Sequence, residues 1–115
     1  MKYMLLIQSG GEVWERFERL GAEGQAQIVD EYLALSGEPG VVAAHQLHPA
    51  DTATTVRVKD GSTLTTDGPF IEAKEELGGF FLYEADDLDA AIELAARIPS
   101  VRMGGAVEVR PVVER

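Results

Sequence analysis

The chain predicts an α+β fold of the ferredoxin-like type, a βαββαβ antiparallel sheet carrying an extra hairpin arm. Three observations predict it. Apolar runs of strand length alternate with segments of helical period in the order strand, helix, strand, strand, helix, strand. An Asp60-Gly61 turn joins two short alternating segments between the second and third of those strands. The length, 115 residues, fits one domain spanning residues 1–115.

Residues 1–7 form the first strand, a short apolar run that ends at Gln8-Ser9-Gly10-Gly11. Tyr3, Leu5 and Ile7 point one way, Met4 and Leu6 the other. Both faces are apolar, so both need a cover. Helices follow at 13–20 and 22–36, interrupted by Gly21 and Gly24. Trp14 and Phe17 lie three apart, and Ile28, Tyr32 and Leu35 mark one buried stripe. Gly37 sits at the C-terminal cap, and Pro39 prevents continuation.

Residues 40–47 read as the second strand. Residues 53–59 alternate, with Val56 and Val58 expected to face in and Arg57 and Lys59 to face water. Residues 62–66 return as the other half of the arm, and Asp67-Gly68-Pro69-Phe70 breaks the ladder. A charged connector at 72–76 and Gly78-Gly79 precede an apolar strand at 80–84. Asp86 or Asp87 caps the next helix, whose expected inner face is Leu88, Ala91, Ile92, Ala95 and Ile98, and Pro99 stops it. Val107, Val109 and Pro111 alternate with Glu108 and Arg110 in the last strand. Helices on one face leave the first strand's second face open. A second copy packing sheet to sheet in a two-fold homodimer is the economical cover.

Composition narrows the chemistry. The chain has no cysteine, which excludes disulfides, thiolate metal sites and a cysteine nucleophile and fits a reducing, cytoplasmic setting. Twenty acidic residues against ten basic ones give a charge of −10, which argues against nucleic acid as a partner. No apolar run approaches the roughly 20 residues of a membrane helix, and no secretory leader is visible. Zinc-protease, nucleophile-elbow and phosphate-loop spacings are missing, and nothing in the pattern calls for a metal or cofactor.

What remains is carboxylates and two histidines. His45 follows an apolar stretch and fits a pocket edge, whereas His48 beside Pro49 reads as exposed. Their odd spacing in a strand puts them on opposite faces, which disfavours joint metal binding. Pro69 fixes its own φ and Gly68 permits conformations closed to other residues, so the turn holds Asp67 in place. A positioned carboxylate orients a histidine or acts as a base itself, and a structural Asx-type turn is the competing reading. Phe70 anchors this turn or walls a pocket. Lys74 and Arg57 are among the few nearby cations able to draw in an anionic group, although a solvated surface is the simpler reading for both. Trp14, Phe17, Tyr32, Phe80 and Phe81 are assigned to the core or to a subunit interface.

The strings Thr52-Ala53-Thr54-Thr55-Val56-Arg57-Val58, Thr66-Asp67-Gly68-Pro69-Phe70, Leu77-Gly78-Gly79-Phe80 and Asp86-Asp87-Leu88-Asp89-Ala90-Ala91 together resemble the DGPF-domain branch of the YCII-related family. The resemblance runs over residues 1–113. It implies a dimeric α+β barrel, with a histidine–aspartate pair in a cleft. Asp67 takes the aspartate position by motif match. Where many members of that branch carry Gly-Glu-Gly-Leu, this chain has Ala44-His45-Gln46-Leu47, so His45 offers a proton-transfer group in place of a glutamate. Some relatives act on small ring compounds, and DGPF members often accompany genes for extracytoplasmic-function sigma factors. Two readings follow. One is a cofactor-independent enzyme of lyase or hydrolase type, using Asp67 and His45 on a small aromatic or anionic substrate held by Lys74, Phe70 and Arg57. The other is a non-catalytic ligand-binding or regulatory module associated with a sigma factor.

Overall fold

The computed structural model describes residues 1–70 and 75–115. The elements are β1 (Lys2–Gly10), α1 (Gly11–Arg19), α2 (Gly21–Ser36), β2 (Val41–Gln46), a 3₁₀ turn (Ala50–Thr52), β3 (Thr54–Lys59), β4 (Ser62–Asp67), β5 (Glu75–Glu84), α3 (Leu88–Ala96), α4 (Pro99–Arg102) and β6 (Ala106–Pro111). Strands β2-β5-β1-β6 form one antiparallel sheet in that order, and β3-β4 form a separate two-stranded arm. This is the ferredoxin-like arrangement with an added hairpin.

The alternation of β1 divides the sheet into two faces. Tyr3, Leu5 and Ile7 are buried and pair with Tyr83, Phe81 and Gly79 on one side and with Pro111, Val109 and Val107 on the other. Leu35, Ala91, Leu94, Ala95 and Ile98 close over this face from the helices. Met4 and Leu6 pair with Leu82 and Phe80 on the opposite face and stay half-buried. This is the face opposite the one closed by Leu35, Ala91, Leu94 and Ile98, as direct cross-strand partners share a face.

The buried stripe of α3 is Ala91, Leu94 and Ala95, and Ile98 just beyond its end completes an i, i+3, i+4, i+7 set. Leu88 and Ile92, expected inside, are about half exposed. The helix is rotated so that Leu94, and not Leu88 or Ile92 of the same size, takes the inner position. The Asp87 side chain accepts a hydrogen bond from the Ala90 amide at 2.9 Å and caps the helix. Asp87→Ala is expected to cost about 1 kcal/mol in chemical denaturation, while Asp86→Ala leaves the midpoint nearly unchanged. Pro99 does more than end α3: it opens the short helix α4 from its first position, where its missing N–H costs nothing. Gly37 follows α2 at φ −90°, so this cap needs no left-handed residue. The Arg97 guanidinium beside Glu38 ties α3 to the end of α2 and holds the Glu38 carboxyl below its ordinary range.

Two further sequence expectations are revised. Strand β5 begins at Glu75, five residues before the expected start at Phe80, because Gln8–Gly10 of β1 pair with Glu75, Glu76 and Leu77 beyond a bulge. Gly78 and Gly79 therefore lie inside the strand. In the arm, Val56 and Val58 are 60% and 70% exposed and do not face a core. Every residue from Val56 to Asp67 is exposed. The arm stands off the sheet, and the Cα radius of gyration is 16.0 Å, against about 13 Å for a compact chain of this length.

Candidate functional site

A cleft of about 400 Å³ opens between α1, α2 and the helix-side face of the sheet, toward the β2 edge. Its inner wall is made by Ile7, Phe81 and Met103, all buried. Its sides are aromatic. Trp14 and Phe17, one helical turn apart on α1, meet edge to face at 6.4 Å. Tyr32 and Ile28, one turn apart on α2, face the same space. Ser9, Ser36 and Gln46 supply polar atoms around the mouth, and no Lys, Arg, Asp or Glu is among the described lining residues. That volume and lining fall within the usual range for small-molecule sites, roughly 300–1,000 Å³ and mostly apolar with a few polar groups.

At this edge β2 lies close against β5. Gly79 permits the close approach. A Cβ there would lie 2.8 Å from the His45 carbonyl oxygen, inside any real contact distance.

His45 contributes to the cleft's rim at this edge. Its register partner is Phe80, not Phe81, so its imidazole belongs to the sheet face away from the helices, with ring centroids 5.7 Å apart. The imidazole is exposed. Asp67 ends β4 opposite Thr54, at the root of the arm, and does not line this cleft. The turn after it is pinned twice: the Gly68 amide donates to the Ala53 carbonyl at 2.7 Å, and the Thr55 hydroxyl donates to the Gly68 carbonyl at 2.7 Å. Gly68 adopts φ +98°, a conformation that favours glycine. The Asp67 carboxylate makes none of these bonds, so among the described residues the turn is held by backbone and Thr55, not by an Asx contact.

Arg57 and Phe70 meet each other. The guanidinium lies 4.6 Å from the ring centroid, a cation–π contact on the outside of the arm. Phe70 is 64% exposed and anchors no core. Lys74, together with Glu72, lies outside the described residues. A second, shallower hollow of about 450 Å³ at the arm's root is lined by His48, Thr52, Pro69 and Glu76 among others, so the histidine that borders the DGPF turn is His48. Among the described residues no group of three or more His, Asp or Glu side chains is placed to hold a metal. Nor is any helix among them long and apolar enough to cross a membrane.

The aromatic residues of the cleft are legible as an aromatic set, but their spacing reads as core or subunit interface. Helical spacing shows that Trp14 and Phe17 share a face. It does not show that the facing sheet stops short of filling the space between them.

Comparison with known proteins agrees with the fold. The family model of the YCII-related domain matches residues 1–115. An uncharacterised protein of Rhizobium meliloti (strain 1021) is 33% identical over 116 residues, covering 97% of this chain and 92% of the relative. With its ferredoxin-like sheet, its hairpin arm and a match along its whole length, the chain belongs to the YCII-related family.

Proposed function

We propose that this protein acts as a homodimer that binds a small, largely apolar ring compound in the cleft between α1, α2 and the sheet. The observation that carries the reading is the cleft itself, a ligand-sized space walled by Trp14, Phe17, Tyr32 and Phe81 with no charged side chain among its described lining. Apolar walls favour burial of a ring, and aromatic pairs add about 0.5–1.5 kcal/mol each beyond area burial. An anionic ligand gains nothing from this lining in a protein of charge −10. Trp14 is the chain's only tryptophan, so it reports directly on the site. Titration with a neutral substituted benzene is expected to shift or quench its fluorescence with saturation. A response that never saturates, or one unchanged when Phe17→Ala widens the cleft, contradicts the reading.

The homodimer is supported by the half-buried face of Met4, Leu6, Phe80 and Leu82, which among the described residues lies opposite the face closed by the helices. A charged residue at its centre, Leu6→Glu, is expected to convert the dimer to a folded monomer, read by light scattering and circular dichroism. A monomeric unsubstituted protein removes the proposal.

A second reading, proton transfer by Asp67 and His45, draws on the doubly pinned turn after Asp67 and on the exposed imidazole of His45. It requires the two groups to meet on one substrate, within a chain or across the dimer. In that case Asp67→Asn and His45→Gln each abolish turnover without weakening binding.

A further inference from the structure

The chain exposes 7938 Å² of surface, against roughly 6,100 Å² for a compact monomer of its mass. The excess of roughly 1,800 Å² is larger than the ~800 Å² per partner buried in a standard protein interface. The arm contributes to it along its whole length, since every residue from Val56 to Asp67 is exposed. Its register puts Thr54, Val56 and Val58 on one face together with Thr63 and Thr65. That is a strip of five exposed β-branched side chains. Two strands alone are marginally stable in water and need a further strand or layer against them. Among the described residues β3 and β4 pair only with each other, and the exposure of the strip shows that no described element lies on it. At the arm's root Leu47 and Leu77 are exposed as well and line the shallower hollow. Leu77 pairs with Gln8, which shares the parity of Met4 and Leu6, so the sheet face opposite the helices runs on to this root.

We infer that the arm reaches across to the second copy of a homodimer and packs its Val56–Val58 strip against it. The inference rests on the dimer reading above and adds the element that clasps the partner. The occupant is a second copy for three reasons. The excess surface is of the size that a stable dimer buries. The strip adjoins, through Leu77 and Leu47, the sheet face on which that reading seats the partner. Beyond its root at Asp67 the arm also carries Arg57 and Lys59 against Asp60 alone, in a chain of charge −10. It is the basic extremity of an acidic protein, and the body of another copy is its electrostatic complement. In a two-fold dimer the contact forms twice, since each copy receives the arm of the other.

The test is the dimer dissociation constant of the full-length protein, measured by analytical ultracentrifugation. Val56→Thr combined with Val58→Thr keeps β-branched side chains at both strand positions and removes only apolar contact. The double variant is expected to weaken the dimer about tenfold or more. On an arm free in water the same change does nothing to assembly, so an unchanged dissociation constant overturns the inference and leaves the dimer reading standing. Amide hydrogen exchange supplies a second measurement that needs no change in the arm. The β3 and β4 amides are expected to exchange about tenfold more slowly in the unsubstituted dimer than in the Leu6→Glu monomer. Equal rates overturn the inference. A monomeric unsubstituted protein removes the dimer reading and this inference together.

Discussion

Replacing Leu5 by alanine is expected to lower the unfolding free energy by about 2–5 kcal/mol. Leu5 is fully buried at the middle of β1, the strand that joins β5 to β6. Its direct partners are Phe81 and Val109, and it belongs to the same buried cluster as Leu94 and Ile98. Truncation loses the transfer free energy of the deleted carbons and leaves a hole that the two flanking strands, held in register on both sides, cannot collapse to fill. A domain of this size has a total stability on the order of 5–15 kcal/mol, so the loss is a large share of it. Urea denaturation measures it as a lower midpoint at unchanged slope. A shift under about 1 kcal/mol would mean that the sheet's centre is not the centre of the core.

Gly79→Ala is the second large effect and acts on the cleft as well as on stability. The new Cβ would sit 2.8 Å from the His45 carbonyl oxygen and 3.4 Å from the Gln46 Cα, both backbone atoms of β2. No side chain can rotate away to relieve this. The edge strand must move, and among the described residues β2 pairs with β5 alone. Overpacking of this kind costs about 1–3 kcal/mol. The movement is expected to speed hydrogen exchange in β2 and to weaken binding of any ring compound in the cleft, because β2 forms its rim. Full stability together with unchanged exchange at the β2 amides would show that the strand has slack there.

The order of elements, the hairpin and the caps were legible because they depend on local chemistry. Asp60-Gly61 turns wherever two strands flank it, and Asp60 indeed adopts φ 51° and Gly61 φ 77°. Asp87 caps α3 because a short carboxylate one residue before a helix can reach its free amides. The two-faced β1 followed from the period of two along a strand. Rotation about a helix axis was less legible: Ile92 and Leu94 are equally apolar, and only packing against β1 and β6 chose between them. Nor did alternation reveal that the arm has no layer behind it. Val56 and Val58 alternate as core residues do, yet among the described residues β3 and β4 pair only with each other.

For the site, sequence picked out residues that carry chemistry, and the tertiary structure distributed them. His45 lies at the sheet edge beside Phe80, Asp67 at the arm's root, and Arg57 over Phe70. The cleft came from residues with no chemical signature, because a cavity is space left by elements that do not quite meet, and no single residue encodes it. The sequence by itself determined the class of fold, the family and the short list of titratable groups, since period, turn chemistry and motif spacing are local properties of the chain. Only the tertiary structure decided which aromatic residues face an opening and which histidine borders the DGPF turn, because each depends on distances between segments far apart in sequence.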